Sequence, residues 1–266
     1  MKVKTEKQLI KFKRPKSLES LAPIVPSSKA LPQWYKDMAS PLTYNNTLEE
    51  IHNASTLRGC MPMFDAMTQG YIIPLWCDLH VSVVFDSYDN DGKEIPRVKF
   101  EWPPGMTNIT HTLKEPNFPT QVVQNHNIPQ TKGAPQMEQS LGGAPAFKLN
   151  SPWIIETPKN YSSLFVPVLN NPPKNISLFS AIVATDTYHD RINFPFVWTG
   201  TEEWEGIIPM GTPLMQVIPF KRDDFQHEIV DLSQDDLDKT DSVRFQIRQT
   251  FLNSYKRFFR HKVSST

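Results

Sequence analysis

The chain has 266 residues, 39% of them apolar, which is enough for one large domain with a sizeable core. Its 28 basic and 28 acidic residues cancel, so no net field draws it to nucleic acid or to an anionic membrane. Twenty-four prolines against 10 glycines exclude an all-helical bundle, because proline breaks helices and is confined to the edges of sheets.

The 16 Phe, 7 Tyr and 6 Trp suit pleated, half-buried surfaces, so a mainly β fold with long ordered loops is expected. Residues 1–21 are basic but lack the apolar stretch of a secretory signal, and read as a solvated arm rather than a nucleic-acid contact. No apolar run reaches the roughly 18–20 residues that span a bilayer. Cys60 and Cys77 are the only cysteines and have no metal-ligand spacing, so the chain reads as soluble, made in the cytosol, with reduced thiols. Without an export signal, the N-x-S/T sequons at Asn45, Asn53, Asn108, Asn160 and Asn175 carry no weight.

Leu31–Met38 reads as a short helix with Pro32 near its first turn, where a missing N–H is harmless, and Trp34-Tyr35 would clip the arm to the body. The β core begins near Cys60. Asp65 is placed to cap a short Ala66-Met67-Thr68 turn. Tyr71–Trp76 and Leu79–Phe85 read as strands, the second alternating apolar and polar. Ser87–Gly92 is a turn cluster, and Pro96–Trp102 returns as its hairpin partner. The Asp89-Asn90-Asp91-Gly92 run lacks the terminal acidic ligand of a calcium loop.

Residues 103–150 are rich in Pro, Asn, Gln, Thr and Gly and are expected to make an ordered excursion over one end of the barrel. Only Gln121–Val123 and Ala146–Leu149 look strand-like there, and His111 and His126 lie in this stretch. Residues 151–222 are the most regular, with strands over Trp153–Glu156, Ser163–Val168, Leu178–Ala184, Asn193–Trp198, Gly206–Ile208 and Leu214–Phe220. A polar stretch then leads to an amphipathic helix from Asp241 to Arg260, with Val243, Ile247, Phe251, Tyr255 and Phe258/Phe259 in one apolar stripe. No Gly/Ser-rich linker divides the chain, so one domain is expected: an arm over 1–58, a β core over 59–222 and a C-terminal helical segment over 223–266.

Four segments carry a partial resemblance to the β-clip core of the dUTP pyrophosphatase and dCTP deaminase superfamily. They are Ile155–Tyr161, Phe165–Leu169, Ile182–His189 and Ile208–Ile218. The resemblance implies a β-clip-like barrel or distorted sandwich over about 60–222, within which 153–220 folds back on itself as a small closed scaffold. The family's phosphate-binding Arg-Ser pair is Val168-Leu169 here, which offers no side-chain donor, and its first catalytic carboxylate is Ala184. No glycine follows Gly211, so the Gly-rich flap is missing too, while Gly211 and Gln216 keep the scaffold positions. The pattern therefore implies the fold without the hydrolysis. In that fold Tyr161, Asp186, Tyr188 and Gln216 would fall at a ligand rim, whose aromatic rings, carboxylate and amide suit a base or sugar.

The whole chain also resembles a family common in tailed-phage genomes, especially phages of marine bacteria. It does so through Pro26–Trp34, Phe64–Leu75, Pro152–Pro158 and Gly211–Arg222. That likeness implies a viral origin and a place in the host cytoplasm or the virion. No nucleotide-binding G-x-x-x-x-G-K-[ST], G-x-S-x-G, H-E-x-x-H or C-x-x-C pattern occurs. His126 and His189 with Asp186 could form a metal site on paper, but the cluster around His189 reads as a solvated turn, and neither metal nor cofactor is expected. The leading expectation is a non-enzymatic phage binding or assembly protein, a homo-oligomer and by analogy a trimer, whose partners are phage structural proteins. The alternative is a nucleotide-binding or nucleotide-processing protein with altered chemistry.

Overall fold

Antiparallel strands dominate the computed structural model, which describes residues 8–39, 56–88, 92, 94–102, 121–126, 133, 146–249 and 255–260. The strands are β1 (Lys11–Lys13), β2 (Val25–Pro26), β3 (Tyr71–Pro74), β4 (Leu79–Tyr88), β5 (Glu94–Glu101), β6 (Val123–Asn125) and β7 (Phe147–Leu149). They continue as β8 (Ile154–Glu156), β9 (Tyr161–Pro167), β10 (Ile176–Leu178), β11 (Ala181–Val183), β12 (Phe194–Trp198), β13 (Trp204–Ile208) and β14 (Pro213–Lys221). Among the described residues they form four sheets, ordered β1-β8, β10-β12-β7-β6, β11-β9-β14-β3-β2 and β13-β4-β5. The fold is mainly β, as expected.

The closed scaffold expected over 153–220 does not form. Strands of that stretch are dealt out to all four sheets and pair with β1, β3, β4 and β7 from elsewhere, and among the described residues no sheet closes into a barrel. The single strand expected over Leu178–Ala184 is two, because β10 pairs with β12 while β11 pairs with β9 in another sheet.

The prolines sit where a ladder can lose a donor. Pro26 lies in β2 and Pro96 in β5, both sheet edges. Pro195 and Pro219 lie in inner strands but past the end of one neighbour: β10 pairs only with Phe196–Trp198, and β3 pairs with β14 no further than Val217. An inner strand with one neighbour missing behaves locally as an edge. That is how a proline-rich chain still builds sheets.

The chain divides into two compact units, residues 1–29 with 70–222, and residues 30–69 with 223–266. All four sheets belong to the first. Its core joins Ile73, Leu75, Val81, Phe147, Ile155, Phe165, Phe196, Trp198 and Met215. Phe100 meets Phe147 and Phe196 edge to face, with ring centroids 4.7 and 5.4 Å apart, the geometry aromatic quadrupoles favour. The indole of buried Trp76 donates to the Asn150 carbonyl at 2.9 Å, and Asn150 reaches the Gln121 carbonyl at 2.8 Å. This network pins the start of the regular region to the β6 side. Gly70, at φ +71°, lets the chain enter β3 against the Val217 carbonyl of β14.

The second unit contains α1 (Gln33–Asp37), α2 (Met61–Thr68) and α3 (Gln234–Gln249). Pro32 stands at the N-cap of α1, and buried Tyr35 packs on Phe64 of α2 at 6.1 Å. Asp65 does not cap a turn. It lies inside α2, and its two oxygens accept from Arg260 at 2.5 and 3.0 Å, while the same guanidinium covers the Phe64 ring. The helix expected from Asp241 begins seven residues earlier, at a capping box: the Asp236 amide donates to Ser233 Oγ at 3.2 Å and the Ser233 amide to Asp236 Oδ2 at 3.0 Å. Val243 and Ile247 keep their four-residue interval in α3; Phe251 lies outside the described residues, and Tyr255–Phe259 form a π-type turn. Most of the excursion over 103–150, His111 included, and Asp89–Asp91 of the turn cluster also lie outside them. No helix among the described residues is long and apolar enough to cross a membrane.

Candidate functional site

The positions singled out in the sequence separate into three places. Tyr161 opens β9, and Asp186 and Tyr188 lie in the turn after β11, where the Thr187 and Tyr188 amides donate to the Ala184 carbonyl at 3.0 and 2.9 Å. Pairing of β11 with β9 sets Val183 opposite Ser163 and so brings that turn to the start of β9. The structure thus joins Tyr161 and Asp186, and exposed Tyr188 and His189 follow in the same turn.

Arg222, just past β14, completes this group. The register sets Lys221 opposite Tyr161, so Arg222 projects beyond the sheet corner. Its guanidinium grips Asp186 with two nitrogens at 2.9 and 2.5 Å, and also donates to the Tyr161 carbonyl and to Ser162 Oγ, each at 3.1 Å. Asp186 accepts a further bond from the Asn160 amide at 2.9 Å, and its side chain is only 4% exposed. Arg222, with that amide, holds the Asp186 carboxyl down at about 2. So acidic a group has little tendency to take a proton at neutral pH, and its oxygens already accept three donors. The arrangement does the work of a latch. Beneath it the hydroxyls of Thr157, Thr185 and Ser163 form a buried relay, at 2.8 and 2.9 Å.

Gln216 is not at this rim. It sits in the middle of β14, 0% exposed, opposite Val166 on one side and Ile72 on the other. Six residues of extended strand, roughly 20 Å, separate it from Arg222. Its Oε1 accepts the Leu169 amide at 3.1 Å, which fixes the chain leaving β9. His126 follows β6 on a different sheet, its amide bonded to the Ala146 carbonyl at 2.7 Å and its Nδ1 buried without a hydrogen-bond partner among the described residues. No group of three His, Cys, Asp or Glu side chains suited to a metal occurs among the described residues.

A second feature lies outside the reasoning from motifs. Between β14 and α3, residues 223–232 run without regular structure and carry Phe225 at 90% and Ile229 at 95% exposure, with Val230 and Leu232 also exposed. The sequence signal was there, an apolar residue every few positions in a polar stretch, but it has no helical or strand period.

The chain matches no protein-family model and no curated protein.

Proposed function

We propose that the protein is a non-catalytic, phage-encoded binding or assembly protein on a β-clip-like scaffold, and that it self-associates through residues 223–249. The observation that carries this reading is the exposed apolar set Phe225, Ile229, Val230 and Leu232. Burying one such side chain is worth roughly 1.5–3 kcal/mol, so a partner surface that covered all four would gain several kcal/mol. A second copy of the chain fits by charge. The first half of α3 carries Asp235, Asp236, Asp238 and Asp241 against Lys239, which pairs with Asp235, whereas Arg244, which reaches Asp241, and Arg248 lie in the second half. Two such helices laid antiparallel set each acidic half against a basic one. The satisfied Asp186 latch supports a structural rather than catalytic role for the turn around it. In this reading the protein works in the host cytoplasm or the virion alongside phage structural proteins.

Light scattering on the full chain tests it. The expected mass is two or three times 30.6 kDa, three being the trimer that the β-clip resemblance implies and two the antiparallel pair. Phe225→Asp with Ile229→Asp should return the monomer. A wild-type monomer at high concentration, or an oligomer indifferent to both substitutions, overturns it.

One observation favours a second reading, a nucleotide-binding protein with altered chemistry: Arg222 bridges Asp186 and the Tyr161 carbonyl, near exposed Tyr188. A thermal-shift panel of nucleotides tests it, since a ligand at a hundred times its Kd stabilises by about 2.7 kcal/mol. A flat panel removes this reading.

A further inference from the structure

The first unit has a surface depression that involves neither the latch nor the C-terminal segment. β1 pairs with β8 in a two-stranded sheet, Phe12 opposite Ile155, and the chain then turns through a short 3-10 segment, Lys16–Leu18, whose Leu18 is fully buried. This anchor holds a string of cations over the residue that precedes β8. The result is an open hollow of about 680 Å³. Its cations are Lys13, Arg14 and Lys16, opposed by the carboxylate of Glu19, and Phe12 and Trp153 supply aromatic wall.

Those cations are not equally committed. Lys13 is held, with Lys11, by Glu156 on the facing strand. Lys16 has no carboxylate partner among the described residues, and the only hydrogen bond of the Arg14 guanidinium there is a long one, 3.5 Å, to the Pro15 carbonyl. Arg14 instead lies over the Trp153 ring, 5.9 Å from its centroid, where the π face favours a cation. Trp153 is 5% exposed, and its indole N–H is buried with no acceptor among the described residues. The hollow therefore combines surplus positive charge with the aromatic side chains of Phe12 and Trp153. Its volume falls within the range of small-molecule sites.

We propose that this hollow binds a small organic anion, a phosphate monoester carried on a flat apolar body. The dianionic phosphate matches the two uncommitted cations, Arg14 offering its planar fork and Lys16 a point charge. The flat body lies against the half-buried Phe12 ring, beside the Arg14–Trp153 pair. The site is separate from the self-association surface and stands or falls without it.

Isothermal titration of the full-length protein with phenyl phosphate, inorganic phosphate and phenol tests the assignment. Phenyl phosphate should bind, and each half-ligand should bind at least tenfold more weakly, because each lacks either the charge or the ring. Binding should weaken with added salt. Arg14→Gln and Lys16→Gln should each weaken phenyl phosphate about tenfold. Lys16 is exposed, so that variant should keep the wild-type melting temperature, which separates loss of binding from loss of fold. Uridine monophosphate in place of phenyl phosphate tells a nucleotide from a simpler phosphoester, tighter binding pointing to the nucleotide and weaker to the simpler ester. Absence of phenyl phosphate binding at millimolar concentration overturns the proposal. So does inorganic phosphate binding as tightly, or an affinity unchanged by both Gln substitutions.

Discussion

Arg222 closes on Asp186 across the corner of the five-stranded sheet, tying the residue after its longest strand to the turn that follows β11. One guanidinium thereby fixes three chain segments, since it also reaches the Tyr161 carbonyl and the Ser162 hydroxyl. The consequence is an acid-sensitive fold. Asp186 is held at about 2, below its ordinary 3.8, chiefly by Arg222. Glu156 is held at about 2, below 4.5, chiefly by hydrogen bonds from Lys11 and Lys13. A carboxyl whose folded value is depressed stabilises the fold above its unfolded value, and that contribution is lost as pH falls towards the folded value. The urea midpoint of the wild type should therefore drop as pH is lowered from about 5 to about 2. Asp186→Asn and Glu156→Gln should each start lower at neutral pH and show a flatter acid dependence. If Asp186→Asn kept the whole acid slope, the latch would carry none of it.

Gly70 offers a test of how the first unit is closed. Its φ is +71°, and a Cβ built there would stand 2.0 Å from the Val217 carbonyl oxygen and 3.0 Å from its carbon. Both obstacles are backbone in the middle of a sheet, so neither can swing away. Gly70→Ala should cost about 3 kcal/mol or more, the left-handed backbone penalty adding to the displacement of β14. Its amide neighbourhood is shared, because the Ser27 amide donates to the Gly70 carbonyl at 3.0 Å, so β2 should loosen with it. Chemical denaturation and hydrogen exchange at Val25 and Ile72 measure both effects. An Ala variant as stable as wild type would show that the approach of Gly70 to β14 is relaxed in solution.

In the second unit Asp65 and Arg260 join α2 to the end of the π-type turn. Asp65→Asn should keep the size and weaken the pair. The Asp65 side chain is partly exposed to solvent, which screens the pair, so the loss should be small, about 1 kcal/mol. It should show locally, as faster hydrogen exchange over 61–68, with the sheets of the first unit unaffected. Faster exchange throughout the molecule would mean that the pair supports more than its own unit.

Much of the strand set was legible because its signals are local. Leu79–Phe85 and Pro96–Trp102 alternate around a turn cluster, and both became strands of one hairpin, with Val83 opposite Val98. The strands missed were the short ones on sheet edges: Lys11–Lys13 offers a single apolar residue, Phe12, between two charges, and its pairing with Ile154–Glu156 is a property of the partner. The start of α3 was legible and overlooked, since Ser233-x-x-Asp236 is a capping signature in the sequence itself. The site was less legible for a physical reason. Asp186 and the Tyr161 carbonyl share Arg222 because two register choices, β11 on β9 and β9 on β14, bring a turn, a strand start and Arg222 to one corner. No local pattern encodes a register. Gln216 differs the other way: the β-clip resemblance put it at the rim, while its place on an inner strand buries it.

That buried amide yields the sharpest test. Gln216 is wholly enclosed and its Oε1 accepts the Leu169 amide at 3.1 Å. Gln216→Leu keeps the bulk but leaves that amide without its acceptor, at a cost of about 1–3 kcal/mol that should not vary with pH. Gln216→Glu keeps an acceptor but buries a carboxyl, whose charged form is disfavoured in the core, so its folded pKa should rise above the unfolded value of about 4.3. A raised folded value means the protonated form is the one the fold accommodates. The deficit of Gln216→Glu relative to wild type should therefore be large at neutral pH and shrink on acidification through that raised value. Urea midpoints of the three proteins at a series of pH values measure it. If the Glu variant kept a constant deficit, as the Leu variant should, then residue 216 would be open to water and the inner position of β14 would be wrong.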